Sequence, residues 1–274
     1  MIIGIDGNEA NIKEKVGVNQ YASEILWGLY ELQDIENGKY TFIIYLKNAP
    51  NSDLPKENSF WKYKVIPGVG LWVLKNLMPE LLIKVKVDVF FTPGHYLPLI
   101  SRAPKVFTIH DLGYLEFSGQ FKKNDFWQLK YWSAISIIIS KYIICPSEST
   151  AKDIVRHYPF ARNKVKVIPH GYAIDKFNTK IPDNFVRRVR EKYRIPQNYI
   201  LFLSTLKPSK NIEGLLSAFS SVTETFSGVS LVIAGKKGWL YESIINYVKD
   251  LGLERKVIFT DYVPEDDKPA LLRG

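Results

Sequence analysis

A chain of 274 residues is long enough to bury the cores of two domains of ordinary size. Its 46% hydrophobic and 24% charged content, without low-complexity tracts or Pro- or Ser-rich linkers, excludes a disordered chain, and the lone Cys145 excludes an internal disulfide. The net charge of +9 favours acidic partners, whether nucleotide phosphates, anionic lipid heads or nucleic acid, without choosing among them.

The apolar stretch Met1 to Asp6 reads as a central strand of a parallel sheet. Asp6 comes too early for the apolar core of a signal peptide and no run is long enough to span a bilayer, so the expected location is the cytoplasm. After a polar loop, Tyr21, Ile25, Leu29 and Leu32 recur at helical spacing, and Gly17 just before them is a place where a ligand can approach the backbone. Strands are expected at Tyr40 to Leu46 and Trp61 to Pro67. From Gly68 to Lys86, Val73, Leu77 and Leu81 mark a helix broken at Pro79. It is read either as core or, through Trp72, Lys75, Lys84 and Lys86, as a segment peripheral at an anionic membrane face.

Strands at Val87 to Thr92 and Lys105 to Ile109 follow, the second ending at His110 and Asp111. Ligands of open parallel sheets gather at the carboxyl ends of strands, so His110 is placed to donate to a ligand oxygen or exchange a proton. Asp111 could fix its tautomer or hold a hydroxyl, and Gly94 and His95 end the previous strand in a similar position. An apolar helix from Asp125 to Ser140, a strand at Tyr142 to Cys145, a helix capped by Ser147 and a strand at Val165 to Ile168 complete a first domain, residues 1–175.

The second domain, 176–274, opens with a charged helix and then a strand, turn and helix from Tyr199 to Phe219. Tyr199 to Leu203 reads as a buried strand, and Ile212, Leu215, Leu216 and Phe219 as a helix face. Between them Lys207, Pro208, Ser209, Lys210 and Asn211 aim two cations and the positive end of a helix at one point, a cradle for phosphate, although no P-loop pattern is present. A strand at Ser230 to Ala234 ends in Gly235-Lys236-Lys237-Gly238; a helix from Leu240 to Leu251, a strand at Lys256 to Thr260 and a helix start at Pro264 follow. Three strands in this half, where an open α/β sheet usually has about five or six, make the second domain read as incomplete.

Taken in order, IHDL at 109–112, CPSESTAKDI at 145–154, VIPHGYAIDKF at 167–177, FLSTLKPSKNIEGLLSAF at 202–219, LVIAGKKGW at 231–239 and VIFTDYVPEDDKPALLRG at 257–274 make a specific signal. The chain resembles the retaining nucleotide-sugar glycosyltransferases of family four. The resemblance implies an α/β GT-B fold, two Rossmann-like domains facing across a cleft. The first would bind the acceptor and the second the donor, in polysaccharide biosynthesis, with a hexose passed to a glycan or lipid-linked acceptor. It implies that Lys210 with Asn211 grips the donor diphosphate, helped by Lys207, Gly17 and Gly235, that His110 lies beside the transferred sugar, and that Tyr262 and Val263 lie near the nucleobase.

No cofactor is implied beyond the donor as substrate, and no Asp-x-Asp triplet signals a metal. Ser209, Ser204 and Asp261 stand where the family commonly has arginine, glycine and glycine. The family's E-x7-E segment, which holds the donor's sugar and ribose hydroxyls, is expected after Gly274. The alternative function is therefore a non-catalytic fragment or a partner-dependent binding subunit. Nucleic acid is not an expected partner, because no stacking or groove-reading motif accompanies the charge.

Overall fold

The computed structural model describes residues 1–35, 38–83, 86–94, 96–116, 123–238 and 241–274, so Lys84, His95, Trp239 and Leu240 lie outside the described residues. The chain forms two compact units, Met1–His170 and Gly171–Gly274.

The first unit holds seven strands, β1 (Ile2–Asp6), β2 (Thr41–Leu46), β3 (Trp61–Val65), β4 (Val89–Thr92), β5 (Lys105–Thr108), β6 (Tyr142–Cys145) and β7 (Val165–Val167). They pair in parallel in the order β3-β2-β1-β4-β5-β6-β7. Alternation along the strands decides which side chain enters which layer. Ile3, Ile5, Phe42, Ile44 and Leu46 pack beneath α1 (Val18–Ile35) with Ala22 and Leu26. Ile2, Ile43 and Tyr45 face the opposite layer, built by α2 (Met78–Ile83), α4 (Lys123–Ile139) and α5 (Glu148–His157). The short α3 (Gly113–Glu116) follows β5. Ser147 caps α5 as its residue type demands, its Oγ accepting from the Thr150 N–H at 3.1 Å.

Two expectations for residues 68–86 change. Pro79 does not break the helix: it sits in the first turn of α2, and the preceding residues, Val73–Leu77, are wound as a wider π-turn that relieves the clash of the proline ring with the turn before it. Trp72 is not interfacial. It is 1% exposed, donates its indole N–H to the Ile66 carbonyl at 2.7 Å and joins the core, because an indole with its one donor satisfied gains more from burial than from solvent.

In the second unit β8 (Tyr199–Leu203), β9 (Ser230–Ala234) and β10 (Val257–Asp261) pair in parallel in the order β10-β9-β8. On one face lie α7 (Ile212–Thr225) and α8 (Tyr241–Asp250), anchored by Ile212, Leu216, Phe219, Ile244 and Val248. On the other lie α6 (Asp183–Tyr193) and α9 (Lys268–Arg273) with Val186, Val189, Ala270 and Leu271. Only β9 is buried throughout its apolar length. The expected buried strand at Tyr199 is half-exposed, with Ile200 open to solvent, since β8 stands at the end of the strand order.

Candidate functional site

At the carboxyl ends of the first sheet, the order reverses between β1 and β4, the point where ligands enter such sheets. The Asp6 carboxylate, at the end of β1, accepts from the Asn8 backbone N–H at 3.1 Å and from its side-chain amide at 2.6 Å. Burial nevertheless raises its pKa above the ordinary 3.8, against those bonds and the Lys47 charge. Glu9 is raised by burial and by the Asp6 charge, although the side chain reaches solvent and accepts from the Asn19 amide at 2.6 Å. A Cβ on Gly94, in the loop after β4, would stand 3.7 Å from the Glu9 side chain, so the loops after β1 and β4 meet there.

Along the same edge, His110 follows β5 and His170 follows β7. Tyr21, in the first turns of α1, lies between them, its ring centroid 4.7 Å from each imidazole, edge-on to His110 and stacked on His170. The Tyr21 hydroxyl is 3.1 Å from the Thr108 hydroxyl, and Thr150 donates to the His110 carbonyl at 3.1 Å. His110 Nε2 lies 3.0 Å from the Pro93 carbonyl, which can only accept, so Nε2 carries the hydrogen of the neutral ring. Burial lowers the pKa of His110 below 6.5 and the His170 ring adds to the shift, outweighing the Pro93 carbonyl and Asp111.

Asp111 does not fix the His110 tautomer. Its carboxylate turns forward to accept from the Gly113 N–H at 2.9 Å, a local turn closing onto α3, while Pro93 supplies the carbonyl that the tautomer needs. Gly17 starts α1 at φ +50°, a left-handed conformation that favours glycine, with open space where a Cβ would be. Tyr21 and His170 were not singled out from sequence. Tyr21 reads as one more helix position, whereas the strand-end rule that found His110 would also have found His170 after β7.

The corresponding edge of the second sheet is built by three interlocked loops. The loop after β8 runs alongside the loop after β9: Leu206 N–H donates to Lys236 O and Gly238 N–H to Leu206 O, both at 2.9 Å. Gly235, at φ +150°, lies so close that a Cβ would stand 1.9 Å from the Ser204 carbonyl oxygen, and one on Gly238 would stand 2.4 Å from that of Leu206. Gly235 is thus required by loop against loop. Its N–H donates to the Asp261 carbonyl at 3.0 Å, which ties in the end of β10.

The loops of this rim carry Lys207, Lys210, Lys236 and Lys237. Lys210 ends a 3₁₀ turn, Pro208–Lys210, exposed to solvent at the start of α7. Asn211 adopts a left-handed conformation at φ 50°, and its side chain folds over Gly214, occupying the space a Cβ there would need. Asp261 also has positive φ, 57°, which accounts physically for glycine being common at such a position. Its carboxylate pairs with Lys237 Nζ at 3.0 Å and raises the lysine pKa, so the negative charge on this rim is matched. Tyr262 is half-buried at the rim, while the Val263 side chain is 1% exposed within the core, leaving only its backbone to face a ligand.

Residues 49–176 match the family described as Glycosyltransferase Family 4, and residues 186–274 the family described as Glycosyl transferases group 1. The structure of Anabaena HepE in complex with UDP-glucose aligns at a TM-score of 0.66 and 17% identity over 99% of this chain and 71% of that one. Sucrose-phosphate synthase from Thermosynechococcus elongatus aligns at 0.69 and 13% identity, over 99% and 73%. The structural likeness carries the fold, GT-B, and with the family matches it places the chain among the glycosyltransferases. The chain is similar to the O-antigen chain mannosyltransferase B of Escherichia coli, 26% identical over 277 residues, covering 93% of this chain and 70% of the relative.

Proposed function

We propose that the protein is a retaining, family-four-type transferase that passes a hexose from a nucleotide sugar to a hydroxyl of a glycan or lipid-linked acceptor. The observation that carries this reading is the second rim. Gly235 and Gly238 let two loops close on each other, and these loops carry Lys207, Lys210, Lys236 and Lys237, with Lys210 just before α7. As the glycosidic bond breaks, the leaving diphosphate gains negative charge. Lys210 and Lys207, with the α7 dipole, stabilise that charge more than the ground state. In this reading Gly235 and Gly17 shape the approach to the phosphates, and Tyr262 and the Val263 backbone border the base.

On the first unit the acceptor hydroxyl is held near Asp6, Glu9 and Asp111, with His110 beside the sugar. Charge of oxocarbenium type develops on the sugar ring in such transfers. A protonated imidazole would repel it, and burial keeps His110 neutral. With no carboxylate serving as nucleophile, the leaving phosphate itself takes the acceptor proton as the new bond forms on the same face. The mannosyl transfer named for the Escherichia coli relative and the UDP-glucose bound by HepE set the first donors to try. Neither a metal nor a cofactor takes part in this reading, and the protein works in the cytoplasm.

Calorimetric titration of this chain and of Lys210→Ala with UDP and GDP, alongside release of nucleoside diphosphate from UDP-glucose and GDP-mannose, tests the assignment. Diphosphate binding that weakens roughly tenfold or more in Lys210→Ala is the expected result. Equal binding by both proteins would remove the phosphate clamp. Binding without turnover, with acceptor supplied, would favour the non-catalytic, partner-dependent alternative.

A further inference from the structure

The backbone at the end of β10 is bent in a way that re-aims one side chain. Pairing of β10 with β9 slips between Phe259 and Asp261, a bulge of the kind that turns a side chain out of the regular alternation. Asp261 itself stands at φ 57°, in the left-handed region that glycine occupies at little cost and a residue with a Cβ does not. Its carboxylate meets Lys237 Nζ at 3.0 Å, with the two side chains 62% and 46% exposed. An ion pair so open to water contributes less to stability than a left-handed residue with a side chain costs. The pair therefore does not account for its own backbone, and strain of this kind collects where a ligand is held.

Both residues sit on backbone that neighbouring strands fix. The Gly235 N–H donates to the Asp261 carbonyl at 3.0 Å, and Lys237 bridges to Leu206 in the loop after β8. An ammonium has three donors, of which the carboxylate takes one, and a carboxylate has lone pairs beyond the one that Lys237 uses. Side by side, the pair presents a donor followed by acceptor oxygens. The nucleobase edge of complementary order, an acceptor and then two donors, is that of guanine: O6, N1–H and the N2 amino group. Uracil has a single donor between two carbonyls, so a carboxylate meeting that edge faces an oxygen.

We propose that Lys237 and Asp261 read the base of the donor and select a guanine nucleotide, Lys237 donating to O6 and the Asp261 carboxylate accepting from N1–H and the N2 amino group. The inference rests on the reading in which Tyr262 and the Val263 backbone, next in the chain, border the base, and it narrows the donor to a GDP-sugar. Glycine, common at this position in the family, has no side chain to present such an edge, so the selection belongs to this chain's own residues.

Calorimetric titration with GDP, UDP and inosine diphosphate, which keeps O6 and N1–H but lacks the N2 amino group, tests it. GDP is expected to bind the wild-type protein roughly tenfold or more tighter than UDP, with inosine diphosphate between them. In Asp261→Gly, GDP and inosine diphosphate should bind alike, and UDP as well as it binds wild type or better. Lys237→Met should narrow the ratio of GDP to UDP affinity, and circular dichroism checks that both variants are folded. A wild-type preference for UDP, inosine diphosphate bound as tightly as GDP, or a GDP preference that survives in folded Asp261→Gly would overturn the proposal. If GDP and UDP bind equally and both weaken in Lys210→Ala, the phosphate clamp stands and the base selection fails; if neither binds the wild-type protein, both fail together.

Discussion

The two sheet edges, both at the carboxyl ends of parallel strands, carry opposite chemistry. The edge of the first unit is carboxylate and imidazole, partly desolvated, with Asp6 raised and His110 lowered, so both groups are pushed toward their neutral forms. The edge of the second is cationic and open to water, its lysines set on loops that glycines allow to touch. Burial tunes protonation in the first, while backbone closeness concentrates charge in the second. A sheet edge therefore acquires its chemistry from how its loops pack, and the strand order supplies only the place.

The largest effect is expected at the loop contact of the second edge. Gly235→Ala would drive a Cβ into the Ser204 carbonyl, and urea unfolding should show a loss of about 3 kcal/mol or more. Gly17→Ala, strained in φ but with open space around it, should cost only about 1 kcal/mol. Equal losses would mean that the loops separate readily and that the contact does not hold the lysines.

Next in size is charge removal. Lys210→Ala should lower kcat/KM for sugar transfer by about a hundredfold with little change in melting temperature, because the side chain is exposed. Replacing His110 by Gln should lower kcat/KM by a smaller factor, on the order of tenfold, if the ring acts as a neutral neighbour of the sugar and not as an acid.

The smallest effects are in the pH dependence of stability, where the first edge carries two shifts of opposite sign. His110 is lowered on folding, so its contribution is complete above 6.5 and is lost as pH falls toward the folded value. His110→Gln should therefore flatten the decline in melting temperature below pH 6.5. Asp6 is raised, so the unfolded chain gives up its proton first and stability falls as pH rises past 3.8 toward the folded value. Asp6→Asn should then stabilise the protein at neutral pH by on the order of 1 kcal/mol, read from urea unfolding, while sugar transfer declines. An Asp6→Asn protein less stable than wild type at neutral pH would show that the carboxylate's bonds to Asn8 outweigh its desolvation.

Much of this was legible in the chain. Strand-length apolar runs placed β1, β4, β5 and β8; the rule that ligands meet strand ends pointed to His110, and the cationic turn before a helix start pointed to Lys207 and Lys210. Local hydroxyl chemistry placed the Ser147 cap. Other features depend on residues far apart in sequence: Tyr21 between His110 and His170, Pro93 and not Asp111 setting the imidazole tautomer, and the π-turn that admits Pro79.

The sequence by itself determined the elements, the two-sheet architecture and the cationic turn, because periodicity and turn chemistry act over a few neighbouring residues. Tertiary structure alone decided which aromatic residues are hidden and which are bare, Trp72 within the core and Trp127 on the surface, since composition is the same for both. It also decided that Gly235 serves a neighbouring loop and that Asp6 and His110 lean toward neutrality. Exclusion of water and contact across sheet layers are properties of packing, which no local pattern specifies.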